Sequence, residues 1–268
     1  MSKRIKSARK AYEKADLEEA KKAHTAETIK RDTEEHTERH KTDQGKYIGD
    51  MVYGANDGTL TTFAIVSGVV GASLPTSVIL ILGLANILAD GLSMGVGSYL
   101  STKSEQDFFK KEREREAWEI ENVPEGEIEE LREIYRRRGF TGSILEKVVE
   151  KLTSNKKVWV DTMMVEELGL IEDTKSPFKS SLATFVAFFF AGLVPLMTYL
   201  LSAVFRLTAS NLFAIAVILT GVALFGFGSA RSLVIRRKWY VAGLEMLIIG
   251  GLTAIVSYSV GLVLGGLV

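Results

Sequence analysis

The sequence predicts an all-α, polytopic membrane protein with five transmembrane helices and a hydrophilic helical domain inserted between the second and third. Segregation of charge carries this reading. Residues 58–89, 180–205, 207–230 and 246–268 contain no Lys, Arg, Asp or Glu, while 1–46 and 103–179 are dense in them. Each uncharged run is longer than the ~20 residues a helix needs to cross the ~30 Å hydrocarbon core. A net charge of zero and 25% charged residues would suit a soluble protein, but charge so unevenly distributed excludes one. The chain has no cysteine, so disulfides and thiolate metal sites are excluded as well.

The predicted units, in order, are a charged cytosolic arm (1–46), a transmembrane pair (47–102), the inserted domain (103–179) and three further spans (180–268). The arm mixes Lys, Arg, Asp and Glu without a lasting apolar stripe and has no early apolar region of the signal-peptide kind. Membrane insertion is therefore expected to depend on the first span. His24, His36 and His40, with Glu27, Glu34, Glu35 and Glu38, fit either a metal-collecting arm or a plain solvated helix.

The first two spans, 47–71 and 75–101, are joined at Gly71-Ala-Ser-Leu-Pro75, a turn with proline at a helix start. The resulting hairpin places Asp57 and Asp90 at similar depth, towards the face opposite the turn. Acids inside membrane helices are costly and so face protein or water. Two at matched depth suit a cation site, although each could equally bond its own helix. Asn86, Asp90 and Met94 share one helical face at i, i+4 and i+8. Gly91, Ser93, Gly95 and Gly97 between them permit close helix approach.

In the insert, the second span is expected to continue to Glu121 and to break at Asn122-Val-Pro124. Short helices should follow over 125–138, 142–152 and 156–168, capped by Thr141 and by Ser154 or Asn155, and stopped by Gly139 and Gly169. Between Glu105 and Glu133 lie 11 glutamates, many beside Arg or Lys. Such a run reads first as a salt-bridged surface. Yet Glu116/Glu119 and Glu127/Glu130 are i, i+3 pairs on either side of Pro124, and Met163, Met164 and Glu167 fall within little more than a turn. Carboxylates suit hard divalent cations and thioethers favour transition metals. Methionines on an amphipathic helix also fill cores.

Spans at 180–205, 209–230 and 241–268 complete the chain. Basic residues lie in the arm, the insert and Arg231, Arg236, Arg237 and Lys238, whereas the 72–76 turn and the C-terminus have none and the 206–210 turn only Arg206. The positive-inside rule then places the N-terminus and the insert in the cytosol.

In several motifs taken in order, the chain resembles the vacuolar iron transporter family. They are Asn56-Asp57-Gly58 with Thr61-Thr62-Phe-Ala-Ile-Val-Ser-Gly-Val-Val-Gly71, Ala89-Asp-Gly-Leu-Ser-Met-Gly-Val-Gly-Ser-Tyr-Leu-Ser101, Ile134-Tyr-Arg-Arg-Arg-Gly-Phe140 and Met163-Met164-x-x-Glu167. The likeness covers about 45–268 and leaves the arm unmatched. It implies a five-span homodimer, not an enzyme, that moves Fe²⁺, and also Mn²⁺, Co²⁺ or Zn²⁺, out of the cytosol in exchange for protons, with no prosthetic group and no nucleic acid. The resemblance assigns metal ligation to Asp57 and Met94 in the membrane, and to Glu116, Glu119, Glu127, Glu130, Met163, Met164 and Glu167 in the insert. Plant members carry an acid where this chain has Asn86, and Asp90 stands one turn further on. The expected membrane is the cell membrane of a prokaryote or a vacuolar-type membrane of a eukaryote. A membrane-anchored iron store or sensor without transport is the alternative.

Overall fold

The computed structural model describes residues 46–205, 211–235 and 238–267, together with 7, 8, 10–12, 14–25, 27 and 30. His36, His40, Glu34, Glu35 and Glu38, the 206–210 turn, Arg236 and Arg237 lie outside the described residues. Within them every regular element is helical: α1 (Leu17–Ala23), α2 (Ile48–Gly71), α3 (Thr76–Asn122), α4 (Pro124–Arg137), α5 (Gly142–Thr153), α6 (Lys156–Glu166), α7 (Pro177–Phe205), α8 (Leu212–Ile235) and α9 (Trp239–Gly265).

Four described helices, α3, α7, α8 and α9, are long and apolar enough to cross a membrane. The predicted first span, α2, has 24 residues but is too polar to be counted with them, since it carries Asp50, Asn56, Asp57, Thr59, Thr61, Thr62 and Ser67. Its position explains that composition. α2 packs most extensively on α7, then on α9, and also touches α3 and α8, so protein surrounds much of its surface. Val66, Thr59, Thr62 and Ser67 are fully buried. A helix sheltered by neighbours can carry polar groups that lipid would reject.

Glycine sets the spacing. A β-carbon at Gly54 or Gly58 would overlap the backbone carbonyl of Thr184 or Phe188 on α7, and one at Gly71 would overlap that of Tyr258 on α9. Backbone cannot move aside as a side-chain tip can. Gly58→Ala should therefore force α2 and α7 apart and destabilise the protein by about 3 kcal/mol, at the upper end of the range of overpacked cores. Thermal denaturation in detergent measures this. Gly251→Ala is the control, because no atom lies within 4 Å of the added carbon.

α3 runs unbroken for 47 residues, or roughly 70 Å at 1.5 Å per residue, and so leaves the apolar layer and enters the insert. Its buried stripe Ile79, Gly83, Ile87, Gly91 and Gly95 repeats every four residues and meets Leu196, Phe188, Phe185 and Ser181 of α7. α7 passes through Pro195 without ending.

The insert folds around Ile120, Leu131, Leu145, Val149, Trp159, Val160, Met163 and Met164, drawn from α3 to α6. Pro124 occupies the first turn of α4, and Gly169 has φ +65°, the left-handed conformation that ends helices. Asn155 accepts from the amides of Lys157 and Val158, as the sequence predicts. Thr141, expected to cap α5, makes no side-chain capping bond. α6 ends at Glu166, two residues before the expected 168, because Gly169 pulls the chain into its turn and Leu170 bonds the Met164 carbonyl.

Candidate metal sites

The glutamate-rich stretch divides into two populations, bridged by Arg115, whose guanidinium pairs with Glu119 of the converging set as well as with Glu112. Outward-facing acids pair with arginines: Arg132 Nε lies 3.0 Å from Glu146 Oε1, Arg137 Nε 3.0 Å from Glu133 Oε1, and Arg138 meets Glu166. Arg137 and Arg136 together hold the Glu133 carboxyl below its usual range. This is the solvated, salt-bridged surface expected of such a run.

The inward-facing acids converge. Pro124 reverses the chain and sets the start of α4 beside the end of α3. Carboxylate oxygens of Glu116, Glu119 and Glu127 all lie within 4.8 Å of one another, as do those of Glu127, Glu130 and Glu167. Glu127 belongs to both groups, so five carboxylates form one continuous set. Glu116 is fully buried and Glu127 is 7% exposed; Glu130 and Glu167 sit at the exposed rim. Arg115 Nη2 approaches Glu116 Oε1 to 2.8 Å, but at an angle that makes no hydrogen bond, and neither Glu116 oxygen nor Glu127 Oε2 has a hydrogen-bond partner. Buried polar atoms are nearly always satisfied. Carboxylate oxygens buried without donors suit a divalent cation.

The electrostatics agree. Burial pushes the Glu116 carboxyl up to about 7, with the charge of Glu167 adding to the effect and Arg115 opposing it. Burial, then the charge of Glu116, pushes Glu127 up to about 7. Glu167 is raised by burial and by Glu130. Like charges this close repel, and a divalent cation relieves the repulsion.

Met163 and Met164 are 0% and 1% exposed within the apolar core of the insert. They fill the core in the manner of methionines on amphipathic helices, one turn before Glu167.

Within the helical bundle, the α2–α3 hairpin brings Asp57 and Asp90 within electrostatic reach of each other. Asn86, Asp90 and Met94 are all half-buried on one face of α3, beside the stripe that meets α7. Asn86 Nδ2 and Asn56 Oδ1 are buried without partners. Thr61 Oγ1 bonds the Asp57 backbone carbonyl at 2.8 Å, leaving the Asp57 carboxylate out of that contact. Of the small residues on α3, Gly91 and Gly95 contact α7, whereas Ser93 and Gly97 are exposed.

Above this pair lies a cavity of about 370 Å³ lined by Asp50, Met94, Ser98, Glu105, Asp173 and Lys175, among others. Met94 is one turn above Asp90, and Asp50 is two turns above Asp57, so the cavity leads towards both acids. Sequence reasoning overlooked Asp50 and Lys175, and named Asn56 only as part of a motif. The i, i+7 spacing of Asp50 and Asp57 was the available signal for the first, and Asn56 adjoins Asp57. Lys175 has no local signal, because only the fold brings it near.

The model of the VIT family matches residues 48–262. The chain belongs to the VIT family. The vacuolar iron transporter of Toxoplasma gondii (strain ATCC 50861 / VEG) is 38% identical over 263 residues, 96% of this chain and 87% of that protein. The vacuolar iron transporter of Plasmodium berghei is 35% identical over 97% of this chain and 96% of its own length. Vacuolar iron transporter 1 of Oryza sativa subsp. japonica is 37% identical over 84% and 87%. The two parasite alignments cover too much of the chain to stop at residue 45, so the likeness reaches into the arm that the motifs left unmatched. With four apolar helices long enough to span, this VIT-family chain is an integral membrane protein.

Proposed function

We propose that this chain transports divalent transition-metal ions, Fe²⁺ and also Mn²⁺, out of the cytosol in exchange for protons. The observation that carries the proposal is the placement of two carboxylate groups beside one long helix, α3, which contributes Asp90 to the first and Glu116 and Glu119 to the second. The insert cluster, in which neither Glu116 oxygen nor Glu127 Oε2 has a donor, gathers at the distal end of α3, and Asp90 of α3 with Asp57 of the neighbouring α2 lies towards the membrane end, with the Met94 cavity between. The names of the relatives supply the ion, iron.

In this mechanism Glu116, Glu119, Glu127, Glu130 and Glu167 gather metal, and the role assigned to Met163 and Met164, which lie in the apolar core one turn before Glu167, is to bias the site towards softer transition ions, Co²⁺ and Zn²⁺ included. The ion passes Met94 to Asp57, with Asp90 and Asn86 as further ligands. A carboxylate must be deprotonated to bind metal, so a proton arriving from the opposite face competes for the same oxygen and exchanges with the ion. No covalent step is required and no prosthetic group takes part.

The accompanying architecture has α2 as a fifth span, the N-terminus and the 103–179 domain in the cytosol, and segments 47–102 and 180–268 in the membrane. The open side of Ser93 and Gly97 supports a homodimer, with the pathway lined by α3 of both copies. An anchored store or sensor is supported by the insert cluster alone. It leaves Asp57 and Asp90 without a role, since an anchor needs no acids. Metal flux in proteoliposomes separates the two: a transporter carries Fe²⁺ across the bilayer, and a store binds it only on the insert side.

A further inference from the structure

The cavity above Asp57 and Asp90 contains a cation of its own. Lys175 Nζ lies 3.5 Å from Asp50 Oδ1. The other Asp50 oxygen, Oδ2, accepts from Ser180 Oγ at 2.8 Å, and Ser180 Oγ is 2.9 Å from Ser98 Oγ. Asp50 is thus held at both oxygens and aimed at a fixed point in the cavity.

Lys175 is held there by construction. The segment joining α6 to α7 is tied down at several places. Gln106 Nε2 on α3 donates to the Asp173 and Lys175 carbonyls at 3.0 and 2.6 Å. The Ser176 amide donates to the Tyr47 hydroxyl at 3.0 Å, and the Lys175 amide to Asp173 Oδ1 at 2.8 Å. Lys46 Nζ donates to Thr174 Oγ1 at 2.8 Å. Four of these contacts fix backbone, so only the lysine side chain remains free to swing. Asp50, Glu105 and Asp173 supply negative charge to the cavity, and Lys175 is the positive charge among its lining residues.

We propose that Lys175 is the resident counter-ion of this cavity and a specificity-determining residue, because an entering cation must displace its ammonium from Asp50. A tethered charge acts at an effective concentration of about millimolar or more. A free monovalent ion has no Coulombic advantage over it, whereas a divalent ion at the same distance gains twice the attraction. The displaced lysine then turns towards Glu105 or Asp173, and the doubly charged ion proceeds past Met94. The lysine therefore filters by charge. The methionine and carboxylates beyond it discriminate among divalent ions.

The proposal deepens the transport function given above and rests on it, so the test has one arm that needs no transport. In the full chain in detergent, under anaerobic conditions, site-resolved reductive methylation of Lys175 is measured with and without Fe²⁺, with exposed Lys103 as reference. Fe²⁺ should raise Lys175 labelling relative to Lys103. Asp50→Asn should raise it without metal and remove the response. In proteoliposomes, Lys175→Gln should lower the KM for Fe²⁺ about two- to fivefold, the size expected for a partly exposed ion pair, with kcat unchanged, and Lys175→Arg should keep the wild-type KM. Labelling indifferent to Fe²⁺, or a Lys175→Gln KM equal to wild type, would overturn the counter-ion role while leaving transport standing. Metal-responsive labelling in a chain that carries no Fe²⁺ across the bilayer would refute transport and keep the displacement.

Discussion

Asp57→Asn should abolish Fe²⁺ flux while leaving the protein folded. Asp57 lies on α2 within electrostatic reach of Asp90 and directly below the cavity that contains Met94 and Asp50. An ion stripped of water there depends on anionic oxygens for its stability. Removing one charged partner from a buried pair costs about 2–5 kcal/mol, which corresponds to a loss of roughly 30- to 5000-fold in affinity. The asparagine is isosteric and removes repulsion between two neighbouring acids, so the melting temperature in metal-free detergent should be equal to or above wild type. Asp57→Glu keeps the charge and should retain part of the flux. Wild-type Fe²⁺ transport by Asp57→Asn, measured by an encapsulated metal-sensitive dye, would remove Asp57 from the pathway.

The second large effect is on the insert. Glu116 and Glu127 are each pushed up to about 7 from an ordinary value near 4.5. Protons therefore bind the folded state more tightly than the unfolded one. In metal-free protein the stabilisation is complete below pH ~4.5 and disappears as pH rises through about 7, on the order of 3 kcal/mol for one carboxyl shifted this far. Metal should reverse the trend, since it binds the deprotonated cluster and releases protons as it does so. Melting temperature without metal should fall between pH 5 and 8, and Fe²⁺ at pH 7.5 should restore it. In Glu116→Gln/Glu127→Gln the metal-free curve should be clearly flatter across that interval, with Glu167 left to titrate, and the response to Fe²⁺ lost. A double variant that titrates and responds like wild type would show that the cluster is not the collecting site.

Much of this was legible in the sequence because it depended on local pattern. The uncharged runs marked α3, α7, α8 and α9, Pro124 and Gly169 marked turns, and the i, i+3 glutamate pairs marked the acids that converge. α2 was legible as a helix, but its polarity is explained only by its neighbours, since α7 and α9 cover it through Gly54, Gly58 and Gly71. The four small residues of α3 looked equivalent, yet Gly91 and Gly95 pack inside the chain while Ser93 and Gly97 face out. That division depends on the angle at which α7 crosses. Thr141 had the right chemistry for a cap without the right geometry. Lys175 lies 125 residues from Asp50 in sequence, and no periodicity connects positions brought together by a hairpin, an insert and a tied-down linker.

Metal-driven proton movement tests the central claim most directly. The full chain is reconstituted into liposomes with a pH-sensitive dye inside, an inward Fe²⁺ gradient is imposed, and Fe²⁺ uptake is followed in parallel. Proton movement opposite to the metal, dependent on Fe²⁺ and absent in Asp57→Asn, is the expected result. Fe²⁺ bound to the vesicles without crossing, or crossing with no opposed proton movement, would contradict it.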